Sequence, residues 1–303
     1  MEPELKVDAV EEDYKIVVTL EGRPFAVFRY EPDRAKPVVW PVIGPDGIGL
    51  TRDWPVSDPD ATDSRDHVHH ESFWVAHGDV NGVDFWTIEK GHGIQKVQEV
   101  KLIKSAGRVT ISAGIDWISA QCVAQMAERR NLIFHNQVQG LRRIDLISRF
   151  EMSEGEVRFG DTKEGGMCSI RVAPAMEEQR GGGRITNGYG AQGEAATWGK
   201  AAPWCDYSGT VAGRSVGIAI LDHPTNFRHP VTWHVRAYGL MTANPFGISY
   251  FTNDKAQDGS YTWQKGSVVE YRYRVILHSG DAAAADIQAQ WDLFAKEPPA
   301  KAM

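Results

Sequence analysis

Short runs of β-branched and aromatic residues, separated by turns rich in Gly, Pro, Asp and Asn, recur along most of the chain. Runs of this kind predict β-strands. Two pairs of runs flank the four-residue segments Leu20-Glu-Gly-Arg23 and Ser105-Ala-Gly-Arg108, and each pair predicts a hairpin. The predicted strands lie at 14–19, 24–30, 37–43, 95–104, 109–117, 132–139, 142–152, 156–161, 215–221, 231–238, 247–251 and 261–277.

Helical periodicity is convincing only near the C-terminus. Asp281 is a suitable N-cap, and Ile287, Trp291 and Phe294 recur at helical spacing within 282–296. Many strands with one helix predict an all-β chain. We expect one large antiparallel β-sandwich domain over residues 1–303, with an N-terminal hairpin region at 1–36 and a C-terminal helix at 281–297.

The charge of the chain limits its partners. There are 33 Lys and Arg against 40 Asp and Glu, giving a net charge of −7 and a pI of about 5.8. This balance argues against nucleic acid or an anionic membrane as a partner. The N-terminal segment lacks the features of a signal peptide, and no run approaches the roughly 18 apolar residues of a membrane span. We therefore expect a soluble cytoplasmic protein.

A histidine-rich segment offers the first candidate site. Four of the ten histidines lie between Asp66 and Trp86, and three of them are His67, His69 and His70. If the segment is extended, His67 and His69 share one face and His70 takes the other. His67 and His69 could bind a metal with a distant third ligand, or His70 could transfer protons or form hydrogen bonds in a sugar-sized pocket. Alternatively, the backbone and carboxylates satisfy the histidines in a rigid loop.

Aromatic and charged residues near this segment extend the candidate site. Trp74 and Trp86 could form its walls, and Asn81-Gly82 predicts a tight turn between them. Further along the chain, Gly160-Asp-Thr-Lys-Glu-Gly-Gly166 places Lys163 and Glu164 at the end of a predicted strand, where neighbouring charges suit acid–base chemistry. Ion pairs within a surface loop are the alternative.

A second histidine segment follows near residue 230. On an extended strand, Thr232, His234 and Arg236 share one face. A His and an Arg that face one cavity could bind a hydroxyl-rich or anionic ligand. The alternative is the exposed polar face of an antiparallel sheet.

The motifs together resemble the bacterial family catalogued as methane oxygenase PmoA, over about residues 37–280. The motifs that carry the resemblance are Pro41-Val-Ile-Gly-Pro-Asp-Gly47, His69-His70 with Phe73-Trp74, His77-Gly-Asp-Val-Asn-Gly82, Gly160-Asp-Thr-Lys-Glu-Gly-Gly166, Trp198-Gly-Lys200, Asp222-His-Pro-Thr-Asn226 and Trp233-His234 with Tyr238-Gly-Leu240. The chain has Glu71-Ser72 where the family pattern has Arg-Gly. The membrane subunit that shares the family name spans the bilayer, so the name implies little about activity here.

The resemblance implies an association with sugar oxidoreductases and carbohydrate breakdown. The length and strand pattern also look similar to the galactose-mutarotase-like sandwich, whose members use a His and a carboxylate on a sugar. We therefore expect a carbohydrate-associated enzyme of epimerase, isomerase or lyase type that acts on a sugar or oxidised sugar. Glu164 is the expected base and His70 or His234 the expected acid. The expected substrate contacts are His69, Trp74, Trp86, Lys163, Arg171 and Arg236.

Two other functions stay open. One is a metal-dependent oxygenase or hydrolase that uses His67, His69 and His234, and the other is a non-catalytic sugar-binding module. No cofactor is predicted, although a divalent metal is an alternative. The expected partner is a small-molecule carbohydrate, and the oligomeric state is left open.

Overall fold

A computed structural model describes residues 5–58, 63–137 and 140–298. Strands dominate this part of the chain, and every strand pairing is antiparallel. None of its helices is long and apolar enough to cross a membrane.

The strands are numbered in chain order. The first nine are β1 Val7–Glu12, β2 Lys15–Leu20, β3 Arg23–Arg29, β4 Val38–Val42, β5 Phe73–His77, β6 Ile94–Ser105, β7 Arg108–Ile118, β8 Ala124–His135 and β9 Arg142–Glu151. The others are β10 Val157–Phe159, β11 Gly165–Arg171, β12 Gly183–Asn187, β13 Trp204–Val211, β14 Arg214–Asp222, β15 Trp233–Val235, β16 Leu240–Ala243, β17 Tyr261–Trp263 and β18 Val268–Ser279. The α-helices are α1 Glu194–Thr197, α2 Ile248–Phe251 and α3 Ile287–Phe294.

Two eight-stranded sheets form the sandwich. Sheet 1 has the order β1-β2-β3-β4-β5-β11-β16-β15, and sheet 2 has the order β12-β13-β14-β18-β9-β8-β7-β6. A separate pair joins β10 to β17. The inner faces of both sheets supply one continuous apolar core, in which Phe25 of sheet 1 meets Phe134 of sheet 2 edge to face at 5.3 Å.

A second apolar layer covers the outer face of sheet 1. Its buried members are Val38, Trp74, Ala76, Trp86 and Leu240. Trp74 and Ala76 alternate along β5 with core residues, because successive side chains of a strand point to opposite faces. This outer layer supports the candidate site described below.

The predicted all-β antiparallel sandwich with a C-terminal helix is confirmed. Helix α3 packs through Ile287 and Phe294 on the outer face of sheet 2. The helix begins at Ile287, five residues later than expected, because Asp286 rather than Asp281 is its N-cap and accepts a hydrogen bond from the Ala289 amide. Asp281 instead accepts one from the Ala284 amide in the preceding turn.

Several predicted strands differ from the structure. The run at 231–238 is shortened to β15, Trp233–Val235, because a turn follows in which the Gly239 amide donates to the Arg236 carbonyl. Residues 248–251 form the helical turn α2, since a five-residue apolar run fits one helical turn as well as a strand. The run at 261–277 is divided into β17 and β18 by a turn with Gly266 at a φ of 84°. The run at 132–139 belongs to β8, which ends at His135, and residues 138 and 139 lie outside the described part. The ends of the predicted domain, residues 1–4 and 299–303, also lie outside it.

Candidate functional site

A row of four side chains crosses the outer face of sheet 1. The paired positions are Trp74 with Ser169, Ser169 with Thr242, and Thr242 with His234, on β5, β11, β16 and β15. Directly opposite residues of antiparallel strands share a face. At about 4.8 Å between strands, the two ends of this row are about 15 Å apart. We call these four residues the outer row.

The side chains of Ser169 and Thr242 fill the middle of the outer row beside Gly166. Ser169 and Thr242 share a hydrogen bond of 2.7 Å between their hydroxyls. A Cβ at Gly166 would overlap the Thr242 hydroxyl, so this position requires glycine.

The histidine-rich segment crosses the Trp74 end of the outer row as a tight turn. The His70 amide donates to the His67 carbonyl over 2.9 Å, and His67 has a φ of 46°. The expectation for an extended segment is thus wrong: His67 and His70 stack face to face, with ring centroids 4.7 Å apart and planes within 5°. His70 also stacks on Trp74 at 5.4 Å and meets Trp86 edge to face at 5.5 Å.

Tyr238 joins the histidine turn to the segment near residue 230. Its ring stacks on His67 at 4.9 Å, and the guanidinium groups of Arg171 and Arg236 lie 4.7 and 5.5 Å from its centroid. Tyr238 was not predicted as a site residue, although the motif Tyr238-Gly-Leu240 is among those that carry the family resemblance. Burial raises the pKa of Tyr238 to about 12.

His70 is held in one tautomer. The Arg171 Nη1 lies 3.3 Å from His70 Nδ1, and a guanidinium can only donate, so Nδ1 accepts and Nε2 carries the proton. That Nε2–H is buried and has no partner among the residues that the structure describes. Burial, with the nearby His69 and Arg171, holds the pKa of His70 well below its usual range. His70 is therefore a neutral donor at pH 7.

His234 is held in the opposite tautomer at the other end of the outer row. Its Nδ1 lies 2.7 Å from the Lys163 carbonyl, which can only accept, so Nδ1 carries the proton. The Nε2 lone pair is buried, and no described residue donates a hydrogen bond to it. Burial lowers the pKa of His234 to about 4. His234 thus presents an acceptor at pH 7, where His70 presents a donor.

Glu164 lies between the two histidine segments. Its carbonyl accepts from the Gly78 amide over 2.7 Å, and its side chain is 39% exposed beside Lys163, with Oε1 3.2 Å from the Lys163 Nζ. Burial lowers the pKa of His69 to about 4, and the negative charge of Glu164 opposes this shift. The same charge opposes the lowered pKa of His234. Glu164 is therefore within electrostatic reach of both segments.

Three indole nitrogens around the site are buried without a hydrogen-bond partner. They belong to Trp74, Trp86 and Trp198, and Trp198 meets His234 edge to face at 6.3 Å. An unsatisfied buried donor costs about 1–3 kcal/mol. A polar ligand on this face could accept hydrogen bonds from these indole N–H groups and from His70 Nε2, and could donate one to His234 Nε2.

The predicted cationic contacts have protein partners. Arg171 is fully buried and bonds Asp66 and Glu177 through Nη2 at 3.1 and 3.4 Å. Arg236 pairs with Glu194 at 2.9 Å and remains one-third exposed. Lys36 was not predicted as a site residue. Its buried Nζ lies 3.5 Å from a carboxylate oxygen of Glu71. Burial is the largest cause of the lowered pKa of His69, and the charge of Lys36 is the next. No sequence pattern distinguishes Lys36 from other lysines.

The predicted metal set of His67, His69 and His234 is not assembled. Across the ranges that the structure describes, no group of three His, Cys, Asp or Glu side chains is arranged to hold a metal ion. The turn at 67–70 keeps His67 and His69 from facing one ion. Their rings meet edge to face at 5.8 Å, and His67 Nδ1 lies 3.1 Å from a carboxylate oxygen of Asp66.

Comparisons with known proteins identify a matching family and solved structures with a similar fold. The model of a family of unknown function, DUF6807, matches residues 15–292. No curated protein matches the chain. The resemblance to the PmoA family stays a prediction.

Two solved structures are similar over most of the chain. An α-galactosidase from Lactobacillus brevis is 8% identical to this chain, with a TM-score of 0.45. The match covers 94% of this chain and 41% of the α-galactosidase. A galactose 1-epimerase from Lactobacillus acidophilus NCFM is 8% identical with a TM-score of 0.40, covering 91% of this chain and 99% of the epimerase. Likenesses at this level imply no ligand or reaction for the chain.

Proposed function

The chain belongs to the DUF6807 family of unknown function, and we propose that it binds a sugar or oxidised sugar at the outer row and acts on it by general acid–base catalysis. The observation that carries the proposal is the pair of buried, unpartnered imidazole nitrogens of opposite kind, the Nε2–H of His70 and the Nε2 lone pair of His234.

A polyhydroxylated ligand suits this pair. Each hydroxyl both donates and accepts, so one molecule can accept from His70 and donate to His234. The indole N–H groups of Trp74, Trp86 and Trp198 add donors around the same face. Ligand pockets are commonly lined by aromatic side chains with a few placed polar groups, and the site has this composition.

The two buried histidines act without a net charge in this account. Because the pKa of His234 is about 4 and that of His70 lies well below its usual range, neither is an imidazolium at pH 7. The expected acid, His70 or His234, therefore acts as a neutral imidazole in this proposal. His70 instead donates a hydrogen bond to a substrate oxygen on which negative charge develops, and the Arg171 guanidinium keeps its donor in place.

Glu164 is the base in this proposal. Its partly exposed carboxylate lies within electrostatic reach of His69 and His234, so a ligand held between them meets it. A carboxylate placed in this way accepts a substrate proton and contributes about 10²–10⁴-fold to a rate. Lys163, 3.2 Å from Glu164 Oε1, positions the carboxylate.

The binding step is tested by calorimetry with galactose, glucose, galacturonate and glucuronate. The variants are His70→Asn and His234→Asn, since an Asn side chain can replace the Nδ1 contact to Arg171 or Lys163 but lacks the Nε2 position. His135→Gln, on the outer face of sheet 2, is the control. We expect at least about tenfold weaker binding in the two site variants and unchanged binding in the control. Absence of millimolar binding for all four sugars, or equal affinity in every variant, contradicts the proposal.

The chemical step is tested by exchange of sugar C–H protons in D₂O, followed by NMR. Glu164→Gln is expected to retain binding and to slow exchange by about 10²-fold or more. The exposed Glu154→Gln is the control and retains exchange. If the wild-type protein binds a sugar but does not exchange its C–H protons, the catalytic part of the proposal is wrong and the protein is a sugar-binding module.

A further inference from the structure

A groove on the opposite side of the molecule has a different chemistry. It occupies about 1240 Å³ on the outer face of sheet 2, over β6, β7, β8, β9 and β18. Seven Lys and Arg residues line it against four Asp and Glu, in a chain whose net charge is −7. No Trp, Tyr or Phe is among the described residues that line it. The groove is therefore cationic and lacks the aromatic surfaces of the outer row.

The acidic groups at the centre of the groove already have partners. Asp145 binds Arg274 through both oxygens at 2.6 and 2.9 Å and also binds His135 Nε2 at 2.8 Å. Glu297 binds Arg274 at 2.8 and 2.9 Å. Arg274 is thus neutralised by two carboxylates.

Two other guanidinium groups have no carboxylate partner in the described part of the chain. Arg143 donates through Nη2 to His135 Nδ1 at 2.8 Å, and its Nε is buried without a partner. Arg272 donates through Nη1 to His223 Nε2 at 3.1 Å and to the Glu297 carbonyl at 3.3 Å, and its Nε is also buried without a partner. Burial lowers the pKa of both guanidinium groups, and the carboxylates of Asp145, Glu270 and Glu297 oppose this shift only from a distance. An anion in direct contact would satisfy the buried N–H groups and stabilise both charges.

The strand register sets the distance between these two groups. Asp145 lies opposite Arg274, with Arg143 two residues before Asp145 on β9 and Arg272 two residues before Arg274 on β18. Because the strands are antiparallel, Arg143 and Arg272 lie on opposite sides of the Asp145–Arg274 pair. Four residues of strand separate their levels by about 13 Å. One small monovalent anion cannot contact both.

We propose that this groove binds a multivalent anion, a molecule with two or more carboxylate or phosphate groups that contacts Arg143 and Arg272 on either side of the Asp145–Arg274 pair. Guanidinium groups bind carboxylate and phosphate in the same bidentate geometry, so the groove itself does not distinguish these sources. The site is independent of the one proposed on sheet 1.

Calorimetry with tripolyphosphate and with trigalacturonate tests the proposal, with phosphate and acetate as comparators that carry a single anionic group. We expect at least one multivalent probe to bind about tenfold or more tightly than its single-group comparator, and to weaken between about 20 and about 300 mM salt as charges are screened. Preference for tripolyphosphate identifies a phosphate ligand, and preference for trigalacturonate identifies a carboxylate ligand. Failure of both probes to bind at millimolar concentration overturns the proposal.

Variants locate the binding. Arg143→Gln and Arg272→Gln are each expected to weaken the preferred probe about tenfold or more. Arg214→Gln, an exposed arginine of sheet 2 outside the groove, and His70→Asn, in the sheet 1 site, are expected to leave it unchanged. Equal weakening by Arg214→Gln shows non-specific attraction and overturns the proposal.

Amide NMR on the wild-type protein avoids dependence on the stability of the variants. The preferred probe is expected to shift resonances of β8, β9 and β18. Shifts confined to other elements overturn the proposal.

Discussion

The guanidinium of Arg171 and the imidazole of His70 are in direct contact inside the protein, with Nη1 3.3 Å from Nδ1. Arg171 is itself fixed by Asp66 and Glu177. Because an arginine offers no acceptor, this contact determines which nitrogen of His70 carries the proton. Arg171, which was predicted as a substrate contact, thus also determines which nitrogen of His70 faces a ligand.

Replacing Arg171 by Lys should loosen His70 without removing the positive charge. An ammonium lacks the planar fork of a guanidinium, so we expect a mixture of His70 tautomers and weaker sugar binding. Long-range ¹H–¹⁵N spectra report the tautomers directly. Arg180→Lys is the matched control, since Arg180 also binds Glu177 but is 39% exposed. A single, unchanged His70 tautomer in Arg171→Lys would count against the positioning role.

Two buried tryptophans should respond differently to replacement by Phe. Trp86 has an unpartnered indole N–H, whereas Trp117 donates to Glu128 over 2.8 Å. Trp86→Phe loses ring contacts but also removes an unsatisfied donor, so we expect a change in unfolding free energy below about 1.5 kcal/mol. Trp117→Phe also loses a hydrogen bond to a charged group, worth about 1.5–3 kcal/mol. Urea unfolding compares them, and a larger loss in Trp86→Phe would contradict the assignment of a free donor.

Gly166→Ala should disturb the middle of the outer row. The new Cβ would overlap the Thr242 hydroxyl and crowd that of Ser169, so these side chains must shift and lose their mutual hydrogen bond or the backbone must move. Overpacking of this kind costs about 1–3 kcal/mol. Gly155→Ala is the control, because a Cβ there meets nothing within 4 Å. Equal midpoints of urea unfolding for the two variants would show that β11 and β16 are not in close contact.

The buried histidines should make folding sensitive to mild acid. His69, His77 and His234 have pKa values lowered by burial to about 4. Between pH about 6.5 and about 4, the unfolded chain binds protons that the folded chain excludes, so stability falls as the pH falls through this window. His234→Asn should reduce the slope there by up to about 1.4 kcal/mol per pH unit.

His278 provides a control of opposite sign. The pKa of His278 is raised, because Asp206 at 2.8 Å outweighs the effect of burial. The stabilisation of the folded state that protonated His278 provides is fully present below pH about 6.5 and is lost as the pH rises through the raised pKa. His278→Gln should therefore change the profile above pH about 6.5, and urea unfolding across the pH range measures both variants. An unchanged acid slope in His234→Asn would show that His234 is not buried as described.

Local sequence signals predicted much of the strand pattern but little of the site geometry. The hairpin of β6 and β7 could be predicted because a Gly-containing turn separates two β-branched runs. The start of α3 was misplaced because Asp281 and Asp286 both precede helix-forming residues, and tertiary packing selects Asp286.

The convergence of the two histidine segments depends on long-range pairing. His234 reaches the row of Trp74 only through the registers of β5, β11 and β16, which no local pattern encodes. The stacking of His67 on His70 depends on a left-handed φ at His67, a conformation that only a small share of non-glycine residues adopt and that no local pattern here signals.

The protonation states of His70 and His234 at pH 7 test the proposed site most directly. Long-range ¹H–¹⁵N spectra of the wild-type protein should show His70 protonated on Nε2 and His234 protonated on Nδ1, and titration with a bound sugar should move chiefly the Nε2 resonances of both. A charged imidazolium at either residue, the same tautomer at both, or a sugar that binds without shifting either Nε2 would contradict the account.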